Sequence, residues 1–328
     1  MGYYLRCYGK YIVIAVVVIV AVVVGVVLYS NAQKERQEKQ LAYRMEGIAY
    51  MEEEKYEEAL AVFQKALADS KGDIDEAEMD ICFYKALAQY ELGDTEGALE
   101  TYTSVIDYNG NAKAYFLRGN LYYSLEEEDK ALADYAKAVE KEKEDYELYI
   151  AIYEVLAAND KLEKGKEYLK SALEIGGNGV DDKIQKGRIN VLLGEYEEAI
   201  TLLTEAAKKD ADSYYYLFLA YDAMENKELA LENLDTYLEE EKALDSYKLY
   251  DMGKSLLEQE NHNTAIECFK KALELEEVPN QQVIMKALVI AYEKELDFTS
   301  AKEVMAKYVE LYPEDEEALR EYTFLETR

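Results

Sequence analysis

Residues 40–313 repeat a pattern of small and bulky apolar positions with a period near 34. A small residue marks the start of the second helix in each copy, and we call this residue the anchor. The eight anchors are Ala59, Ala98, Ala131, Gly165, Ala199, Ala230, Ala265 and Ala301. A period of this length, sustained over eight copies, predicts consecutive helix–turn–helix units.

Other positions keep the same frame. Four residues after the anchor every copy has a large apolar residue, namely Phe63, Tyr102, Tyr135, Leu169, Leu203, Leu234, Phe269 and Met305. Twelve residues before the anchor, five of the eight copies have glycine or alanine. Small residues let the two helices of a pair approach closely, and we expect the bulky residue to fill the space between neighbouring pairs. A single pair cannot bury such a face, so at least three pairs must stack.

This pattern resembles the tetratricopeptide repeat. The best match is the third copy, with Tyr115, Gly119, Tyr122, Ala131, Tyr135 and Ala138 in the motif positions. The resemblance implies an all-α fold, a right-handed superhelical solenoid of about eight repeats over residues 40–313. The chain departs from the motif in copy four, where Tyr153 occupies the small position, and it contains no tryptophan.

Turn and terminal signals agree with eight repeats. Gly93 and Gly194 each follow a leucine at a predicted helix end, where glycine accepts the left-handed conformation. Extra residues around 70–76 fall between copies one and two, where a loop is tolerated. After Pro313, acidic residues and a single apolar face predict a capping helix over residues 314–328.

The amino-terminal segment has a different composition, because residues 11–29 are nineteen uncharged residues rich in Val and Ile. A helix of that length spans about 28 Å, close to the hydrocarbon thickness of a bilayer. We therefore expect a short basic tail at residues 1–10, a transmembrane helix at 11–29 and a polar linker at 30–39. A signal peptide cleaved after Ala32 is the competing interpretation, although its apolar region is usually shorter, about 7–15 residues.

Charge does not fix the orientation of this segment. Arg6 and Lys10 precede the span, whereas four basic residues follow it closely, which leans towards a cytoplasmic carboxyl-terminal domain. A short basic tail followed at once by an apolar run is also the layout of an exported signal anchor. We expect a single-pass protein of the cell membrane whose soluble domain is extracytoplasmic, with the cytoplasmic orientation as the alternative.

The chain is strongly acidic, with 69 Asp and Glu residues against 37 Lys and Arg residues and a net charge of −32. Such a polyanion repels phosphate backbones and anionic lipid. We therefore exclude a nucleic-acid partner, and we expect membrane contact only through residues 11–29. One histidine and three cysteines are too few for a disulfide scaffold or a zinc site of the usual kind.

Residues that carry catalysis are missing from the sequence. We interpret His262 as an exposed turn residue, and Cys82 and Cys268 as buried, unreactive thiols on repeat helices. No phosphate-binding loop and no serine nucleophile motif is present. We expect no enzyme activity, no cofactor and no metal site.

The resemblance also suggests which residues contact a ligand, because contacts in this family tend to come from the second, fifth, ninth and twelfth repeat positions on the concave face. Carried onto this chain, those positions hold Phe83, Tyr90, Lys113, Phe116, Asn120, Tyr123, Ile184, Arg188, Tyr215, Asp222, Tyr250, Lys254, Lys286 and Glu293. Ordinary packing is the alternative role for each residue. A clamp for a peptide's terminal carboxylate needs paired Lys and Asn. Only Asn120 fits, with Phe116 in the place of the Lys, so chaperone-tail recognition is disfavoured.

These features predict a membrane-anchored scaffold that binds a protein or peptide in its concave groove without catalysis. Aromatic side chains with a polar tip suit such a surface, because they give large contact area at low entropic cost. One alternative is a structural or self-associating component of an envelope assembly. Another is an extracellular binder of carbohydrate or wall polymer, for which the run 214–216 of three tyrosines is the only feature. The oligomeric state is left open.

Overall fold

The computed structural model describes residues 26, 30–68, 75–240, 244–258 and 260–327. Within these ranges the chain forms seventeen α-helices and no β-strand. It divides into two compact units, residues 1–175 and 176–328. The described part of each unit contains four consecutive helix pairs, in agreement with the eight predicted copies. The right-handed superhelix stays a prediction.

The first unit contains eight described helices, in which each odd-numbered helix is the first of a pair. They are α1 (residues 30–52), α2 (Tyr56–Leu67), α3 (Glu76–Glu91), α4 (Thr95–Asn109), α5 (Ala112–Ser124), α6 (Glu128–Lys141), α7 (Tyr146–Ala158) and α8 (Leu162–Leu173). Residues 30–39, predicted as a polar linker, are the first part of α1. The loop predicted around residues 70–76 lies mostly outside the described residues.

The second unit repeats this order and adds a last helix. Its helices are α9 (Val180–Leu193), α10 (Tyr196–Ala206), α11 (Asp212–Ala223), α12 (Lys227–Glu240), α13 (Ser246–Glu258), α14 (His262–Leu273), α15 (Gln281–Lys294), α16 (Phe298–Leu311) and α17 (Glu316–Leu325). Helix α17 packs on α16 and buries Ala318 and Leu325 beside Met305 and Tyr308. It is the capping helix predicted for residues 314–328.

The small residue twelve before the anchor touches the bulky residue sixteen positions later, in the second helix of the same pair. A Cβ atom added to Gly47 would lie 2.3 Å from the ring of Phe63, and one added to Gly253 would lie 2.5 Å from the ring of Phe269. The bulky residue therefore fills the contact within its own pair as well as the space towards the next pair. Phe63 does both, because its ring also stacks on Tyr84 of α3 at a centroid distance of 5.9 Å.

In the fourth copy the two helices also approach closely, but the large residue is on the first helix and the small one is on the second. Tyr153 occupies the small position of α7, and the anchor opposite it is Gly165 instead of alanine. A Cβ atom on Gly165 would lie 3.0 Å from the ring and 3.1 Å from the carbonyl oxygen of Tyr153. The departure from the repeat pattern at Tyr153 is thus compensated by the glycine across the pair.

Each turn between the two helices of a pair contains one residue with positive φ. Glycine takes this place only at Gly93 and Gly194, as predicted; the other six residues are Glu54, Glu126, Asp160, Glu225, Glu260 and Leu296, with φ between 57° and 62°. A residue with a side chain costs roughly 1–2 kcal/mol in this conformation. The geometry of the turn therefore comes from the packing of the pair, and glycine is not required for it.

Membrane insertion was predicted for residues 11–29, which lie outside the described residues apart from Val26. Among the helices that are described, none combines the length and the apolar composition of a membrane span.

We expect Gly253→Ala to destabilise the protein by about 1–2 kcal/mol. The added methyl group meets the fully buried ring of Phe269, and overpacking of this kind typically costs about 1–3 kcal/mol. The higher helix propensity of alanine returns roughly 1 kcal/mol at most. Urea unfolding followed by circular dichroism measures the effect.

Gly176→Ala is the matched control, because no atom lies within 4 Å of the added methyl group and the backbone there does not require glycine. We expect its unfolding midpoint to stay close to that of the wild type. Equal losses in the two variants would contradict the close approach between α13 and α14.

Leu296→Gly should stabilise the protein by up to about 1 kcal/mol, because glycine removes the strain of a side chain at a φ of 62°. The Leu296 side chain is 74 % exposed, so little packing is lost. Leu296→Ala keeps the Cβ atom and should bring no such gain in thermal unfolding. A similar gain in both variants would instead assign the effect to removal of an exposed apolar side chain.

Candidate functional site

The predicted ligand positions lie on the first helices of the pairs, and in each unit we call the surface formed by repeat positions 2, 5, 9 and 12 its first-helix face. The anchor counts as position 20. The face is formed by α1, α3, α5 and α7 in the first unit. In the second unit α9, α11, α13 and α15 form it.

Position 5 is mainly a packing position in both units. It holds Phe83, Phe116, Ile184, Tyr215 and Tyr250, all buried or half-buried. The ring of Phe116 lies 5.9 Å from Tyr135, and that of Tyr250 lies 6.1 Å from Phe269, so each packs on the bulky residue of its own second helix. Burial raises the pKa of Tyr215 to about 12. These predicted groove residues support the helix pairs from within.

An ion-pair chain links the first three helices of the first unit on this face. Asp80 of α3 accepts a hydrogen bond of 2.6 Å from Arg44 of α1, and its other oxygen lies 3.6 Å from the Lys113 ammonium of α5. The same ammonium lies 4.7 Å from the ring centroid of Phe83. Lys113 and Phe83, both predicted as ligand contacts, therefore contact each other, and Phe83 is only 8 % exposed.

A second polar contact lies beside this chain. Glu78 of α3 is fully buried and accepts hydrogen bonds from Arg36 and, at 2.7 Å, from Gln40 of α1. These residues could not be predicted from the resemblance, because they stand outside the four repeat positions that the family suggests. A buried acid that accepts hydrogen bonds from two side chains of α1 fixes how α3 lies against α1.

The remaining predicted ligand contacts of α3 and α5 differ in how far their side chains are exposed to solvent. Asn120 accepts a hydrogen bond of 2.8 Å from the hydroxyl group of Tyr135 and so orients a core side chain. Tyr123 is half-buried, and its hydroxyl group is buried without a hydrogen-bond partner. Tyr90 is 39 % exposed. Of these three, Tyr90 is the residue that α3 presents to solvent.

Exposed apolar side chains recur on the face at positions 2, 9 and 12. They are Leu41, Leu87 and Tyr90 in the first unit and Tyr247, Val283 and Ile290 in the second, each between 39 % and 55 % exposed. Of these six residues, only Tyr90 was predicted from the sequence as a ligand contact. The other five stand at positions 2 and 9, and four of them are aliphatic.

Charged residues predicted in the second unit are mostly engaged with their neighbours. The Arg188 guanidinium lies 6.0 Å from the Tyr216 ring centroid, and Asp222 accepts hydrogen bonds from Lys227 and Asn261. Lys286 lies 2.8 Å from a carboxylate oxygen of Asp315. This contact, together with hydrogen bonds from the Tyr308 hydroxyl and the Ala318 amide, holds the pKa of Asp315 far below its usual range. Lys254 is exposed.

A small cavity of about 220 Å³ lies between α15 and α17, and we call it the C-terminal groove. Lys286 and Ile290 of α15 stand on its wall, with Val289, Met305 and Ala318 buried beneath. Its acidic side chains are Glu293, Glu317 and Glu321. Burial and the neighbouring Glu321 carboxylate raise the pKa of Glu293 above its ordinary value.

The histidine and the two cysteines of the described residues each pack or pair with neighbouring side chains. His262 begins α14 instead of lying in a turn, and its Nδ1 atom is 2.9 Å from a carboxylate oxygen of Glu295. Cys268 is buried, which raises the pKa of its thiol to about 12, and Cys82 is half-buried; both are free thiols. In the part of the chain that is described, no three His, Cys, Asp or Glu residues are grouped so as to hold a metal ion.

A larger cavity of about 800 Å³ is lined by residues of α12, α14 and α15 and by the start of α16. Asp235, Glu267, Glu295 and Asp297 make its lining acidic. It contains none of the predicted contact residues, and it is open and mixed in polarity. The first-helix face, with its recurring apolar side chains, is therefore the better candidate for binding.

Comparison with known families identifies the repeats. Models of the tetratricopeptide repeat match residues 46–75, 84–146 and 249–279. The chain therefore contains tetratricopeptide repeats in both units, as the resemblance in the sequence predicted. A comparison with curated proteins returns no match.

Solved structures with a similar fold include yeast Tom70, with a TM-score of 0.52 and 16 % identity over 88 % of this chain and 64 % of that one. A tetratricopeptide repeat protein from Parabacteroides merdae has a TM-score of 0.42 and 18 % identity over 77 % of this chain and 99 % of its own. YrrB, described as having an unusual peptide-binding site, has a TM-score of 0.32 and 26 % identity over 54 % and 91 %. At this level the likeness to Tom70 shows the fold alone.

Proposed function

We propose that this protein is a membrane-anchored scaffold that binds a protein or peptide on its first-helix faces, without catalysis. Tetratricopeptide repeats are typical of protein–protein interaction scaffolds, and the described residues provide a surface suited to that role. The anchor would be residues 11–29, whose composition and length suit a single span. Tethering raises the local concentration of a bound partner beside the bilayer.

The exposed apolar side chains at positions 2, 9 and 12 are the observation that carries this proposal. The side chains at position 5 mostly pack within the pairs, and Asp80 forms ion pairs with Arg44 and Lys113. Leu87 and Tyr90 on α3, and Val283 and Ile290 on α15, have no such internal role and stay 39–49 % exposed. Residues three or seven apart on a helix share one face, so each helix offers a short apolar stripe. Such a stripe suits an apolar segment of a partner.

Two alternatives have weaker support. Tyr214, Tyr215 and Tyr216 were the basis for a carbohydrate platform, but all three are half-buried. Consecutive helix residues also point about 100° apart, so they do not form an exposed row. A self-associating role would use the same apolar stripes, and the mass of a cross-linked product distinguishes it.

We expect photo-cross-linking from the first-helix face to trap a partner. A photoreactive phenylalanine analogue is placed at Leu87 or, separately, at Ile290 in the full chain in its own cells. Irradiation should give a discrete adduct with another protein, identified by its mass on a blot and by mass spectrometry. Truncating the buried aromatics at position 5 would be a poorer test, because their loss would damage the pairs themselves.

Leu125 and Leu311 are the matched controls, since they are apolar and similarly exposed, at 38 % and 55 %, but lie off the face. No adduct, or the same adduct from all four positions, would reject the first-helix face as the binding surface. An adduct of twice the chain mass would favour self-association instead.

The orientation proposed for the anchor places the repeats outside the cytoplasm. Protease added to intact cells should therefore remove a tag placed after Arg328. Survival of the tag in intact cells, with loss after lysis, would place the repeats in the cytoplasm. A mature chain about thirty residues short would replace the anchor with a cleaved signal peptide.

A further inference from the structure

The C-terminal groove brings carboxylates of α15 and α17 together around one apolar slot. Each of the acids Asp80, Asp134 and Asp315 pairs with a lysine or arginine. In the described part of the chain no ion pair joins Glu293, Glu317 or Glu321 to a basic residue. Lys286 stands on the same wall, but its ammonium is held by Asp315 and lies 5.4 Å from the ring centroid of Tyr308.

The carboxylates also lie close enough to disturb one another. Glu293 of α15 faces Glu321 of α17, and their proximity together with partial burial favours the protonated form of Glu293. Two neighbouring carboxylates at the edge of an apolar cavity repel each other when both are ionised, and either a shared proton or a cation between them removes this repulsion. A cationic group held between Glu293 and Glu321 would replace the shared proton and let both carboxylates ionise.

The size and floor of the groove narrow the choice of cation. Its volume of about 220 Å³ is below the roughly 300–1,000 Å³ of sites for whole small molecules. The floor is apolar, formed by Val289, Met305 and Ala318, which are at most 4 % exposed. A lysine or arginine side chain has a long apolar stem and a charged end, and it can lay the stem on such a floor.

We propose that the C-terminal groove binds a lysine or arginine side chain of the partner, with its stem over Val289 and Met305 and its charged end between Glu293, Glu317 and Glu321. This inference rests on the proposed function and specifies the chemistry of the partner. Ile290, 49 % exposed at the edge of the groove, then contacts an apolar residue next to the basic one. The net charge of −32 attracts such a partner from a distance.

The cap is what creates this site. Helix α17 contributes Glu317, Ala318 and Glu321, and α15 contributes the opposite wall, so the groove exists only because a further helix follows the eighth pair. The helix that closes the end of the second unit therefore has a second role in recognition.

A peptide-display selection tests the proposal on the full chain purified in detergent. The probe is a library of random octapeptides displayed on phage. The groove variant is Glu293→Gln/Glu317→Gln/Glu321→Gln, which keeps side-chain size and removes three charges. The matched control is Glu303→Gln/Glu310→Gln/Glu314→Gln, three exposed acids of the same region outside the groove. Thermal unfolding checks that all proteins are folded, and Glu321→Gln alone replaces the triple variant if that fails to fold.

We expect the wild type and the control to enrich peptides with a lysine or arginine next to an apolar residue, and the groove variant to lose that preference. The best peptide is then compared with its norleucine analogue, which keeps most of the stem without the charge. The wild type should bind the lysine form about tenfold more tightly, whereas the groove variant should bind both forms alike.

The other outcomes separate this inference from the proposed function. Enriched peptides without a basic position, or a basic preference that survives in the groove variant, would overturn the assignment of the groove and leave peptide binding in place. If the wild type enriches no peptide above a bait-free control, peptide binding fails and the inference fails with it.

Discussion

In four of the repeats the two helices of a pair approach closely where the first helix has no side chain, and this contact is the constraint on which those pairs depend. At Gly47, Gly119, Gly187 and Gly253 even a methyl group would overlap the bulky residue sixteen positions later. The contact fixes the distance and the angle within a pair, and the turn between the helices must then follow. This explains why Glu54 and Glu260, in the turns of the Gly47 and Gly253 pairs, adopt a left-handed conformation that their side chains disfavour. Packing of the pair outweighs a local cost of roughly 1–2 kcal/mol.

The same constraint decides which side chains are left for binding. Position 5 lies three residues before the small position, on the side that faces the second helix, so an aromatic residue there is drawn into the pair. Phe116 and Tyr250 show this, since both rings lie near the bulky residue of their own second helix. Positions 2 and 9 are turned further out, and several of their apolar residues, such as Leu87 and Val283, remain exposed. The side chains that the first-helix face presents to solvent are therefore those that the packing of each pair does not bury.

The sequence predicted the fold well because its strongest signal, residue size at a fixed period, reports the contact that organises each pair. In copy four, residue size at a fixed period is not enough. Tyr153 departs from the repeat pattern in sequence, and only the structure shows that Gly165 lies opposite it and makes room for its ring. Burial at the ligand positions was predicted less well, since a family position indicates which way a side chain points but not how exposed it is. Phe83 and Tyr90 are both aromatic and both at ligand positions, yet one is 8 % and the other 39 % exposed. Charge partners such as Asp80 with Lys113 join different helices and leave no local signature.

The acidic residues at the end of the second unit have a more specific role than the acidity of the chain as a whole. A terminal repeat must cover an apolar surface and present a polar one to water, and α17 does this with Ala318 and Leu325 inside and glutamates outside. Most surface carboxylates serve solubility and contribute little to stability. Glu317 and Glu321 differ because the neighbouring α15 adds Glu293 and an apolar floor. Charges placed for solubility then surround a narrow apolar slot, where an added cation relieves their repulsion. This arrangement favours a basic side chain, and the glutamates that α17 contributes to it are surface residues of the cap.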